Sequence, residues 1–233
     1  SDLEDRMNVD HDTRMVGVQT IIFIEDSVKY YSSILPIIYT EILKQSQRLI
    51  SEGINLTHKF LRMRARPKIL LCSTYEEAWS YYQEYKDYVL GIISDVDFPR
   101  NGIQYQHAGL EFARNVRKEL PDLPILLLSN NDENEAEAHS VQASFVLKDK
   151  PLLLNDLRQF MIQYFSFGDF IFRTKDGIEI GRATDLKGLE EQLCIAPEES
   201  IRYHGERNHF SNWLKARTEF WLAHQLRPRK VDD

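Results

Sequence analysis

Between residues 19 and 164, five short apolar runs alternate with five stretches whose apolar residues recur at three- and four-residue steps. Few architectures accept that pattern. Runs that are apolar throughout read as strands covered on both faces. Strands alternating with helices meet that need by winding the helices over both sides of a parallel sheet. The runs are residues 19–24 (QTIIFI), 68–72, 88–93, 125–128 and 144–147. Between them, a helical pattern carries Ile34, Leu35, Ile38, Ile42, Leu43, Leu49 and Ile50, with Pro36 predicting a kink or a late start. It resumes after Gly53 and continues to about Arg66. Later helices are read with Ala78, Trp79, Tyr82 and Tyr85 facing inward, over 107–120, thinly over 130–140, and over 153–164; residues 99–102 (PRNG) are a turn signal.

The expected fold is therefore α/β, a doubly wound five-stranded parallel sheet in the order 2-1-3-4-5, the flavodoxin-like arrangement. Ligands bind outside the carboxyl ends of such strands, at the switch point between the first and third. The residues closing the runs are chemically selective: Glu25 and Asp26 after the first, Asp95 after the third, Ser129 after the fourth, Lys148 after the fifth. Two or three carboxylates at neighbouring strand ends repel one another and suit a hard divalent cation, Mg2+ above all. Asp95, in the middle, is placed to act as a nucleophile toward phosphorus. The Lys148 ammonium and the Ser129 hydroxyl are placed to neutralise and hydrogen-bond the oxygens of a transferring phosphoryl group.

Residues 19–165 resemble the receiver domain of two-component response regulators. The likeness rests on IEDS (24–27), DVDFPRNG (95–102), LLLSN (126–130) and FVLKD (145–149). It implies that Asp95 is the phospho-acceptor. It implies that Asp26 and Asp95 bind magnesium directly, with Glu25 nearby through water and the Asp97 backbone carbonyl as a further ligand. Ser129 and Lys148 would contact the phosphoryl group, and Phe145 would rotate inward with Ser129 as the switch aromatic. Asp97 and Asn131 fall where the family modulates the lifetime of the phosphorylated state. The chain departs from the pattern at Phe98, where many receivers carry Met, and after Lys148, where Asp149 precedes Pro151. It departs most in residues 27–66, an enlarged helical segment.

The implied activity is that of a regulatory phospho-acceptor in a phosphorelay, catalysing only its own phosphoryl transfer and dephosphorylation, not an enzyme with a separate substrate. The implied partner is a histidine kinase or phosphotransfer protein, with a homodimer as one further arrangement. A constitutive interaction module with an idle site stands as the rival reading. A formal net charge of −7 argues against a nucleic-acid partner, and the basic run 59–68 reads as a solvated helix end. No signal peptide or membrane-length apolar run is present, so a cytoplasmic protein is expected. Cys72 and Cys194 read as reduced core thiols.

The domain reading is a flexible arm over 1–17, the receiver over 18–165, and a small α+β appendage over 166–233. The appendage carries a hairpin (170–173 and 178–180), a short helix over 186–193, a helix start at 197–200 and one amphipathic helix over 208–226. His204 and His209, near Glu206 and Glu219, fit no zinc spacing and read as packed or capping residues. Residues 203–223 resemble a linker that joins receivers to pyruvate, phosphate dikinase-like modules. That likeness implies a downstream ATP-binding domain in a longer protein, and a regulatory head of a phosphotransfer enzyme as another role.

Overall fold

A computed structural model describes residues 1–51 and 65–226. The chain forms two compact units, Ser1–Phe160 and Met161–Asp233. The first is built on a parallel sheet of β1 (Thr20–Ile24), β2 (Lys68–Cys72), β3 (Val89–Asp95), β6 (Ile125–Ser129) and β7 (Ser144–Leu147), in the order β2-β1-β3-β6-β7. With the intervening hairpin strands counted out, this is the 2-1-3-4-5 order expected. β1, β3 and β6 are buried along their whole length. On one face Ile22, Ile24, Ile92, Ile125 and Leu127 pack with Tyr75, Ala78 and Tyr82 of α3 (Tyr75–Tyr85) and with Leu110, Phe112, Ala113 and Val116 of α4 (Ala108–Glu119). Ile21 and Phe23 point the other way, as strand alternation requires, and are equally buried.

α2 spans Val28–Ser51 and buries Ile34, Ile38, Ile42 and Leu49. It begins at Val28, so the late start offered by Pro36 is not taken; the proline sits inside the helix and forfeits one backbone hydrogen bond. Residues 52–64, which hold most of the helical reading of 53–66 and most of the basic run, lie outside the described residues; Ala65 and Arg66, at its end, are not helical. After β3, the turn signal is the loop of a β-hairpin, β4 (Phe98–Arg100) with β5 (Ile103–Tyr105). Asn101 (φ 52°) and Gly102 (φ 75°) both take left-handed conformations, as a two-residue Asn-Gly hairpin loop demands. α5 (Asn134–Ser140) is short, and α6 (Leu153–Tyr164) follows β7. An ion pair at 2.8 Å between Glu41 and Arg158 ties α2 to α6.

The expected flexible arm is instead a helix, α1 (Asp2–Val16). Ser1 and Glu4 form a capping box at its start, and Gly17, left-handed at φ 81°, closes its end. It docks against the edge strand β2 through Val9, packed with Leu70 and Tyr85, and through polar groups. Asp5, 0% exposed, receives two hydrogen bonds from Arg66, one from the Tyr39 hydroxyl and one from the Ile69 amide. Arg6 donates to the Leu71 carbonyl, and Lys68 pairs with Asp12 at 2.7 Å. Asp5→Ala should therefore cost about 2 kcal/mol in urea unfolding, because the Ile69 amide loses its acceptor in a dry setting.

The second unit carries a hairpin of β8 (Phe170–Arg173) and β9 (Glu179–Ala183), then α7 (Leu186–Ile195), α8 (Glu198–Glu206), α9 (His209–Ala216) and α10 (Phe220–Leu226). Its core gathers Phe170, Phe172, Leu189, Phe210, Trp213, Leu214 and Ala223. The single helix expected over 208–226 is broken. Arg217 turns inward to donate to the Ser166 and Gly168 carbonyls and lies over the Trp213 ring, while Thr218 is left-handed at φ 64°. His204 is packed, as read: its ring lies among those of Phe170, Phe172 and Phe210, and its Nε2 accepts from the Arg173 amide at 2.8 Å. Neutral His204 thus carries its proton on Nδ1, which donates to His209 Nδ1 at 2.9 Å.

Candidate functional site

Parallel register brings the expected residues together. Ile24 pairs with Ser94 and Asp95 with Leu128, so Glu25, Asp26, Asp95 and Ser129 sit at adjacent strand ends. Lys148 follows β7, and its amide donates to the Ser129 carbonyl at 2.8 Å. The Lys148 ammonium lies 2.6 Å from both Glu25 Oε2 and Asp95 Oδ2. Ligand oxygens of Glu25, Asp26 and Asp95 all fall within 4.8 Å of one another.

The site is mostly dry. Glu25 is 0% and Asp95 8% exposed, while Asp26 is half-buried. Burial, then the negative charge of Asp95, pushes the Glu25 carboxyl up to about 7 against the pull of Lys148. Burial raises Asp95 as well, with Lys148 opposing it. Three carboxylates thus face one ammonium. An added divalent cation would relieve the excess charge, and the oxygen-only donor set suits magnesium.

A carboxyl that binds protons more tightly when folded makes stability fall as pH rises. For Glu25 the window runs from its ordinary 4.5 to about 7. The loss across it is on the order of 3 kcal/mol. Buried His204, held down to about 4, acts with the opposite sign, adding stability as pH rises toward 6.5. Urea unfolding of Glu25→Gln beside the parent isolates the carboxyl's share: the parent should lose stability relative to the variant between pH 5 and 7.5.

Asp95 Oδ1 accepts from the Val96 amide at 2.7 Å, which fixes the carboxylate plane. Ser129 Oγ accepts from the Asn131 amide (3.0 Å) and from Asn134 Nδ2 (2.9 Å). Phe145 is half-buried against the core. The Asn131 side chain bonds at the start of α5, donating to Glu133 Oε2 at 3.3 Å and accepting from the Glu133 amide at 3.1 Å. The Asp97 carbonyl accepts from Gln104 Nε2 at 3.1 Å and its carboxylate from the His107 amide at 2.7 Å.

Four contributors escape sequence reading. Gln104 comes from the hairpin, whose signal was the Asn-Gly pair between FPR and IQY. Asn134 holds Ser129 from α5. Gly109 has its Cα beside the end of β3, where a Cβ would stand 2.1 Å from the Asp95 carbonyl oxygen. Tyr30, on the first turn of α2, lies over Lys148.

Fold and site together define a doubly wound α/β domain with an acidic, lysine-paired centre at its switch point. No family model and no curated protein matches the chain. Structural neighbours are response regulator receiver domains. One is a receiver domain protein from Clostridium thermocellum, at 17% identity and TM-score 0.45, covering 63% of this chain and 94% of that one. Another is the Mn(2+)-bound form of response regulator Rcp1, at 13% and 0.39, covering 63% and 94%. A third is Vibrio cholerae chemotaxis protein CheY4, at 19% and 0.38, covering 63% and 98%. The likeness of residues 203–223 to a dikinase linker finds no counterpart among them. No helix among the described residues is long and apolar enough to cross a membrane.

Proposed function

We propose that this chain is a phospho-accepting receiver whose acceptor is Asp95. The observation that supports it best is the Lys148 ammonium held between Glu25 and Asp95 beside Asp26, at the switch point of the sheet. An oxygen of Asp95 attacks phosphorus in line. The new bond is the acyl phosphate, and the bond from phosphorus to the donor's imidazole nitrogen or acetyl oxygen breaks, its electron pair leaving with the donor. Lys148 neutralises charge on the transferring oxygens. Ser129, whose oxygen already accepts two hydrogen bonds, keeps its own proton for a phosphoryl oxygen.

Magnesium, held by Asp26 and Asp95 with Glu25 behind, would supply a further positive charge to the transferring group. As Ser129 moves toward phosphate it leaves Asn134 and the Asn131 amide, Phe145 follows inward, and the surface of α5, β7 and α6 is reshaped. No separate substrate is turned over. A histidine kinase, a phosphotransfer protein or a small phosphodonor supplies the group.

Incubation with acetyl phosphate and magnesium, followed by intact-mass measurement, tests this reading. A single added phosphoryl group that Asp95→Asn removes is the expected result. Persistent labelling of the variant would sink the acceptor assignment, and an unlabelled parent would favour the idle interaction module.

A further inference from the structure

Tyr30 is joined to the site in three ways. Its ring centroid lies 4.4 Å from the Lys148 ammonium, on the same nitrogen that pairs with Glu25 and Asp95. Its hydroxyl is 3.1 Å from Asn130 Oδ1 and 3.2 Å from Asp149 Oδ1. Those two residues directly follow Ser129 and Lys148, the two groups assigned to the phosphoryl oxygens. One hydroxyl proton serves both acceptors, so neither bond is strong. A second cation, Lys29, lies 4.8 Å from the ring centroid. The Lys148 side chain is 2% exposed, although both residues after the strands, Asn130 and Asp149, are open to water.

We propose that Tyr30 is a gate on the phosphoryl site, its ring covering Lys148 and its hydroxyl latching the loops that follow β6 and β7. This rests on the receiver reading for its chemistry, while the gate itself is a statement about access to Lys148. With the latch closed, a donor phosphate cannot reach Lys148 and Asp95 together. Tyr30 thereby becomes a positioning residue that slows both entry of the phosphoryl group and its loss to water.

Two variants separate ring from hydroxyl: Tyr30→Ala removes both, and Tyr30→Phe keeps the cover and frees the loops. One readout is the rate of reductive methylation of Lys148, followed by peptide mass on the magnesium-free protein. Tyr30→Ala should raise it about fivefold, while Tyr30→Phe should stay within about twofold of the parent. The other is acetyl phosphate labelling and decay at Asp95. Both rates should rise about fivefold in Tyr30→Ala, and by a smaller factor in Tyr30→Phe. Unchanged methylation in Tyr30→Ala would overturn the gate, as would faster methylation with both phosphoryl rates unchanged or slowed. If the parent takes no phosphoryl group, the receiver reading fails, and Lys148 methylation alone decides whether Tyr30 gates access.

Discussion

Lys148→Met should destabilise the protein by about 3–5 kcal/mol at pH 8, the penalty for stranding buried charge without its partner. Methionine fills nearly the same volume, so packing changes little and the loss is electrostatic. Glu25 and Asp95 would keep their burial and lose the one ammonium that lies 2.6 Å from each. Because Lys148 is what holds both carboxyls down against burial, removing it raises them further. The variant's deficit should therefore be largest above pH 7 and shrink toward pH 5.5, where Glu25 takes up a proton. Urea unfolding at the two pH values checks this. Millimolar magnesium should recover part of the loss at pH 8, since a cation bound by the same carboxylates replaces the missing charge. A variant as stable as its parent at pH 8 would show that water reaches the site and that the ion pair is not a dry one.

Gly109→Ala should cost roughly 3 kcal/mol or more, at the upper end for overpacking. The clash is with backbone, not with a side chain that can rotate aside. The added Cβ would stand 2.1 Å from the Asp95 carbonyl oxygen and 3.1 Å from both the Asp95 carbonyl carbon and the Val96 Cα. Gly109 also donates its amide to the Val96 carbonyl at 2.8 Å, which ties the start of α4 to the end of β3. Either the start of α4 retreats or the end of β3 bends, and the second moves Asp95 itself. Thermal unfolding reads the stability, and acetyl phosphate labelling reads the acceptor role proposed for Asp95. A variant with unchanged melting would mean the helix start has room to shift.

The sheet was legible because its strands are apolar on both faces and each ends on a polar residue, so periodicity and punctuation agree. The acidic centre was legible for the same reason: Glu25, Asp26, Asp95, Ser129 and Lys148 are the residues at which apolar runs stop. α1 was not. Its buried face is Asp5, Val9 and Thr13, and two of those three are polar. What makes that face interior is Arg66, Tyr39 and the Ile69 amide around Asp5, and Leu70 and Tyr85 against Val9, all supplied from more than thirty residues away. Its start was nevertheless marked by Ser1 and Glu4 at capping-box spacing. The break at Thr218 was hidden because the pull on Arg217 comes from carbonyls at Ser166 and Gly168. Gly109 and Tyr30 share this property: each contributes through a contact with another segment of the chain, which spacing does not encode.

The docking of α1 on β2 shapes how the domain opens. β2 is an outer strand, and its outward Ile69 amide is capped by a carboxylate of α1 instead of a neighbouring strand. That amide is then sealed only as long as one helix stays in place. Local detachment of α1 would release Ile69 to deuterium exchange while Ile22 and Ile92, between paired strands, stay protected. It would also bare a row of unpaired amides and carbonyls on which a second sheet can grow. The first seventeen residues would thus set how readily this edge exchanges and, under stress, associates.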